Sequence, residues 1–270
     1  MIPTANIIAF TIALMFTGFL PVALAIFLLA TKRITVLPFI LGVLAFFVSQ
    51  MVLRLPLMSL LATQGWYQRF ATMFIPFVLV TALTAGLFEE SARLGGALIL
   101  KKQRTYRDIV SFGLGHGLCE VVMIVGLTHV NNILFSLAIN SGEPNTITNA
   151  LPPATLEAVT HQLAAAGLLA VSFGVLERVG AVLFHIFATF LIFRGVIVHQ
   201  KALYWVLAVL THAAVNAIAL FTFHAAGAGV SVALILALGL LMGWYVWRQR
   251  NNSTFQPHEL LLPQGEAQWQ

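Results

Sequence analysis

The sequence predicts an all-α polytopic membrane protein, a bundle of about seven transmembrane helices around a polar intramembrane chamber. Two composition facts carry the first half of that statement. Hydrophobic residues make up 60% of the 270 positions and charged residues only 9%, and the mean hydropathy is +0.94, far from an ordinary soluble domain. Several apolar stretches also reach the ~20 residues that a helix needs to cross a bilayer. The chamber is suggested by LFEESARLGG, residues 87–96, where two carboxylates and an arginine interrupt a greasy run. Each such charge at a helix centre costs about 2.5–3.5 kcal/mol on insertion scales, so its presence needs a reason.

The crossings are expected at 7–30, 34–53, 70–100, 109–139, 175–193, 203–223 and 230–247. The first lacks the basic flank of a signal peptide and is closed by Lys32 and Arg33, which fits a retained helix with its N-terminus outside. The third and fourth are too long for upright crossings, so they tilt, extend beyond the hydrocarbon or kink, with Pro76 as a candidate. The loop SGEPNTITNALPP contains Glu143 and neither Lys nor Arg, which suits an external position. Segment 154–171 is favoured as an external or re-entrant amphipathic helix; an eighth span is the alternative.

Basic residues cluster at Lys32/Arg33, Lys101/Lys102/Arg104/Arg107, Arg194/Lys201 and Arg248/Arg250. With seven spans and the N-terminus outside, all of these fall on the cytoplasmic side. Arg54 and Arg69 are exceptions on the outer side. The expectation is an integral protein of a bacterial-type cytoplasmic membrane with a cytoplasmic C-terminus. Residues 1–250 form one transmembrane domain, with the motif-bearing core at about 85–220, and 251–270 form a polar, disordered tail. The net charge of +5 is spread over loops and helix ends, so the expected partners are the bilayer and a peptide or membrane-protein substrate, with no nucleic acid. The single cysteine, Cys119, excludes an internal disulfide and a Cys-rich metal site.

Counting from the nearest basic residue at 1.5 Å per residue, Glu90, His116, His185 and His212 all lie roughly 14–17 Å into the membrane. One intramembrane histidine is ordinarily an interhelical hydrogen bonder. Three at one depth with two glutamates point to function. Glu89/Arg93, His116/Glu120 and His212/Asn216 are i,i+4 pairs, each lining one helix face, and Arg93 can neutralise a glutamate of its own helix. Glu89 and Glu90 differ by about 100° around the axis, so they face different points. Glu177 and Arg178 read as a structural pair near the outer end of their span. The glycines of FGLGHG read as close helix packing around His116, because no strand precedes them to make a nucleotide loop.

A carboxylate beside histidines in a desolvated pocket can hold and deprotonate a water. His116, His185 and His212 are candidate ligands for Zn²⁺, with a position open to water. His212 and Asn216 can donate to an oxyanion. These parts describe hydrolysis of an acyl bond, most naturally a peptide bond. The alternative is a proton- or cation-coupled transporter or receptor, since buried Glu/His groups also form proton relays. Against it, no matched inverted halves are visible.

Glu89-Glu90-Ser-Ala-Arg93, then Phe112-Gly-Leu-Gly-His116, then His212-Ala-Ala-Val-Asn216 resemble the motif order of the CAAX-protease and bacteriocin-processing membrane peptidases. With FGLGHGLCE and the LER segment ending at His185, the chain is similar to the YhfC family of intramembrane metalloproteases. The resemblance implies that Glu89 and His116 activate water and that His212 and Asn216 hold the oxyanion. Glu90 and Arg93 are then supporting groups. The CAAX pattern places its arginine one residue further on, and His185 and Glu120 have no counterpart in it; they are what a metal-bound version adds.

Overall fold

The computed structural model describes residues 1–100, 104–142 and 146–256. Lys101 and Lys102, Glu143 and tail residues 257–270 lie outside the described residues. Among the described residues there are helices and connecting turns, and no strand. They are α1 (Thr4–Ala30), α2 (Val36–Ala62), α3 (Gly65–Ala71), α4 (Phe74–Ile99), α5 (Tyr106–Asn140), α6 (Thr146–Asn149), α7 (Pro153–Ala165), α8 (Leu168–Ile197) and α9 (Lys201–Arg248).

Among the described residues, six helices are long and apolar enough to cross a membrane, and the last of them joins two helices across a kink. The 48 residues of α9 would extend about 72 Å at 1.5 Å per residue, more than twice the hydrocarbon thickness. Gly227 breaks it with φ of 83° and ψ of 175°, outside helical space, a conformation glycine adopts without a Cβ penalty. The second arm, 228–248, folds back on the first. Ser231 Oγ donates to the Ala219 carbonyl at 2.9 Å, and Tyr245 returns to within 3.3 Å of Arg194. About seven crossing segments result.

Boundaries differ from the sequence expectation where local chemistry extends or stops a helix. The third span starts at Phe74, so Pro76 falls in the first turn of α4, where its missing N–H leaves no bond unmade, and it makes no kink. Segment 154–171 is split: α7 is 13 residues, too short to cross, and α8 begins already at Leu168. α7 docks on α1, where Asn6 Nδ2 donates to the carbonyls of Leu163 and Ala164, both at 2.9 Å. The largest change is in α2, which continues to Ala62. Arg54, just past the expected end of the second span, is a buried residue inside this helix. A π-helical stretch, Phe47–Arg54, precedes Pro56, just as Met15–Phe19 precedes Pro21 in α1. Proline cannot donate the i→i−4 bond, and a widened turn before it accommodates that loss.

Helix α5 starts with a capping box in which Thr105 and Asp108 bond reciprocally. Asp108 also accepts from Thr35 Oγ1 at 2.8 Å, tying the start of α5 to the start of α2. From there α5 threads between α2 and α8 because its glycines admit their backbones. A Cβ at Gly113 would lie 2.6 Å from the Ile186 Cα, and one at Gly115 would overlap the Phe39 carbonyl. FGLGHG is thus the helix-packing device its sequence suggests.

One apolar cluster joins Leu100, Ile109, Phe193, Val196, Val246 and Phe255. It gathers the helix ends that carry Arg104, Arg107, Arg194 and Arg248 at one pole of the bundle. Ile2 and Asn140, bonded through Asn140 Oδ1 and Nδ2 at 2.6 and 2.8 Å, mark the opposite pole. The outward surface is apolar, with Phe19, Ile26, Leu83, Leu210 and Trp244 all exposed, while Glu89, Glu90, Arg93, His116, His185 and His212 are buried. That inversion suits a chain whose solvent is lipid.

Candidate active site

The two glutamates of α4 point to different partners, as their 100° separation requires. Glu89 Oε2 lies 2.9 Å from His116 Nε2 on α5. Glu90 Oε1 lies 2.8 Å from His212 Nδ1 on α9 and forms a fully buried ion pair with Arg93. The Glu89/Arg93 pairing allowed by i,i+4 spacing does not form. Both Glu89 oxygens are already engaged, Oε2 by His116 and Oε1 by Gln50 Nε2 at 2.6 Å, so the arginine takes its i−3 neighbour instead. Close approach of α9 is possible because Gly86 faces it: a Cβ there would stand 2.8 Å from the Val209 carbonyl and 3.3 Å from His212 Cβ.

His185 on α8 completes the centre. Its Nδ1 is 3.1 Å from Arg93 Nη2 and 3.9 Å from Glu89 Oε2. Its Nε2 contacts Glu120 Oε2, and Glu120 Oε1 accepts from Arg178 at 2.9 Å. Arg178 also pairs with Glu177 at 2.9 Å, so the expected Glu177/Arg178 pair is present and is anchored to the chamber through Glu120. His116 and Glu120 both face inward, as their spacing requires. His212 presents Nε2 at 3.7 Å from Glu89 Oε1.

A cavity of about 340 Å³ opens beside this cluster, lined by Gln50, Arg54, Thr81, Glu89, Glu120 and Asn216. A smaller space of about 80 Å³ adjoins it at His185, His212 and Arg178. Asn216, one helical turn after His212, lines both. The sequence reading passed over Gln50 and the site role of Arg54. Their i,i+4 spacing in a run otherwise rich in Val, Leu and Phe was the available signal. His129, Asn131, Asn132, His161, His199 and His224 are absent from the walls of these spaces.

The family described as "YhfC intramembrane metalloprotease" matches residues 16–239. The chain belongs to the YhfC family. It is also similar to the uncharacterized membrane protein YhfC of Bacillus subtilis (strain 168), with 31% identity over 175 residues, covering 62% of this chain and 67% of that one. No solved structure matches. The YhfC match contains every site residue named above, including Gln50 and Arg54 on α2, a helix that added little to the motif resemblance.

The family's description as a metalloprotease implies a metal. Glu89, His116 and His185 are buried and each offers a ligand atom within 4.8 Å of the others. The Glu89 Oε2 distances of 2.9 and 3.9 Å to the two ring nitrogens bracket the roughly 3.3 Å edge of a tetrahedron with 2.0–2.1 Å bonds. Two imidazoles and a carboxylate therefore fit a divalent ion once the Arg93 contact to His185 Nδ1 opens. The three histidines expected as ligands converge only in part: Glu89 takes the third place in this group, and His212 lies on its far side.

Proposed function

We propose that this YhfC-family chain is a membrane-embedded peptidase that hydrolyses a peptide bond of a peptide or membrane-associated protein. The observation that carries this reading is the 2.9 Å contact between Glu89 and His116 at the wall of a cavity large enough to admit a peptide backbone. Glu89, flanked by His116, takes a proton from water. The water oxygen bonds to the carbonyl carbon, the C–N bond breaks, and the proton passes to the leaving amine. Asn216 and the Nε2 edge of His212 face the position where negative charge develops on the carbonyl oxygen. Glu90 and Arg93 position His212 and His185, and Glu120 orients His185 from its other edge.

In a zinc-loaded form Glu89, His116 and His185 would hold the ion, which would supply Lewis-acid polarisation and a more acidic water in place of proton abstraction by a free Glu89 carboxylate. The order of the three motifs, similar to that of the CAAX-type peptidases, supports the same division of labour. In this reading the chain sits in a bacterial-type cytoplasmic membrane, N-terminus outside, with the basic pole cytoplasmic and the reacting centre in the cytoplasmic half.

The test is peptide cleavage in detergent by the wild type, Glu89→Gln and His116→Ala. Both variants are expected to be inactive while eluting as folded protein. Cleavage at the wild-type rate by both would remove the mechanism.

A further inference from the structure

Among the described residues, Arg54 is the buried cation of the chamber that has no carboxylate partner. Arg93 pairs with Glu90, and Arg178 with Glu120 and Glu177. Arg54 is only 9% exposed and donates to neutral acceptors: Gln50 Oε1 at 3.1 Å, the Thr81 carbonyl at 2.9 Å and Thr84 Oγ1 at 3.4 Å. Among the described residues no acidic group lies within ion-pair distance of it. A guanidinium carries five N–H donors, so some remain for a ligand. A buried charge without an ion pair is unfavourable at this depth, and Glu89 reaches this one only through Gln50.

Its place on the cavity wall says where that partner would sit. Arg54, Thr81, Ala85 and Glu89 line one continuous space. On α4, Thr81 precedes Glu89 by about 12 Å of helix, away from the basic pole. Leu55 and Leu220 also line this space, the latter 43% exposed on the lipid-facing surface. Gln50 links the two ends of the space, donating to Glu89 and accepting from Arg54. The path through that one carboxamide bounds the separation of Arg54 Nη1 from Glu89 Oε1 at about 8 Å. One or two extended residues, at about 3.3–3.6 Å each, span such a distance. The other acids on the wall do not compete for Arg54: Glu89 is held by His116 and Gln50, Glu120 by His185 and Arg178, and Glu177 by Arg178.

We propose that Arg54 receives the free C-terminal carboxylate of the substrate, so that the enzyme removes one or two residues from a peptide end. The inference rests on the peptidase reading and specifies its substrate class. Arginine suits this role because its fork matches a carboxylate with two parallel hydrogen bonds. The carboxylate would complete the charge balance of the outer chamber and set the scissile carbonyl beside Glu89.

The experiment uses N-terminally labelled apolar tetrapeptides, each as free acid and as C-terminal amide, with the full chain in phosphatidylcholine nanodiscs. Cleavage is followed by mass spectrometry, and binding is measured separately with the Glu89→Gln protein. The acid should be favoured over the amide by about 10- to 100-fold, the range for one charge-assisted hydrogen-bonding site. Arg54→Gln should erase that preference, and Arg54→Lys, which keeps the cation that the fold accommodates, should retain part of it. Equal cleavage of acid and amide by the wild type overturns the proposal and leaves the peptidase reading standing. If neither is cleaved, the peptidase reading is in question and the binding arm decides: acid-selective binding that depends on Arg54 supports the site, and non-selective or absent binding overturns it. Loss of acid binding on replacing phosphatidylcholine by phosphatidylglycerol would assign Arg54 to a lipid headgroup instead.

Discussion

Nη2 of Arg93 lies 3.1 Å from Nδ1 of His185, and this contact fixes where the histidine carries its proton. Arginine only donates, so Nδ1 accepts and the ring proton sits on Nε2, facing Glu120. The carboxylate on the far edge of the ring is the arrangement that orients metal-binding histidines. The Nδ1 lone pair therefore faces the Glu89 side of the chamber, and it would be free to hold an ion once Arg93 moved off it.

Metal content should follow this geometry. Purified protein loaded with Zn²⁺ should lose it in His116→Ala, His185→Ala and Glu89→Gln, and keep it in His212→Ala. Glu120→Gln, which removes the outer partner of His185, should weaken binding about 10- to 100-fold. Competition against a chromophoric chelator measures all five variants. Retention of full affinity by His185→Ala would dismiss the site.

The Glu90–Arg93 pair is fully buried, so removing one member leaves a naked charge among helices. Arg93→Met should lower stability by about 3–5 kcal/mol, whereas the double variant Glu90→Gln/Arg93→Met should recover much of that loss. Denaturant unfolding in detergent, run as a double-mutant cycle, reads the coupling. Additive losses would show that the two side chains act independently.

How far the sequence reveals this site depends on residue type. Glu89, Glu90, His116, His185 and His212 stand out because charge and imidazole are rare inside membrane helices, and a simple rise per residue brings them to one level. Which partner each glutamate takes is not legible: Arg93 lies within reach of both, and the choice is made by Gln50 and His116 occupying Glu89. Gln50 itself is a neutral amide and raises no alarm in a hydropathy scan. Arg54 reads as a charge beyond the span because a mostly apolar stretch of 20 residues, 34–53, already precedes it; the π-helical turn and the continuation to Ala62 carry it inside. The crossing arms of α9 were legible, but their fusion through Gly227 was not, because helix continuity across a glycine is set by packing.

Two glycines give opposite expectations for one chemical change. Gly115→Ala drives a methyl into the Phe39 carbonyl, and backbone cannot yield as a flexible side chain can, so α2 and α5 must separate. Gly95 has open space around the same position, and Gly95→Ala should stabilise α4 by up to about 1 kcal/mol through helix propensity. Thermal melting in one detergent compares them directly. Equal melting temperatures would contradict the close α2–α5 approach.

Gln50 is the residue through which the reacting centre and the outer chamber communicate. Its amide donates to Glu89 Oε1 at 2.6 Å while its carbonyl accepts from Arg54 at 3.1 Å. It touches no reacting atom, so it acts by positioning: it holds Glu89 with Oε2 turned to His116. Gln50→Met keeps the volume and removes both bonds. The freed carboxylate can rotate or pair with Arg54 directly, and either change takes it away from the water. Losing a hydrogen bond to a charged group is worth about 1.5–3 kcal/mol, so kcat should fall roughly 10- to 100-fold. Gln50→Glu should be worse, because it replaces the donor to Glu89 with a second carboxylate at hydrogen-bonding distance. It would also give Arg54 the counter-ion it lacks, so acid-over-amide selectivity should fall along with the rate. A Gln50→Glu protein that kept both its rate and its selectivity would show that this amide only fills space.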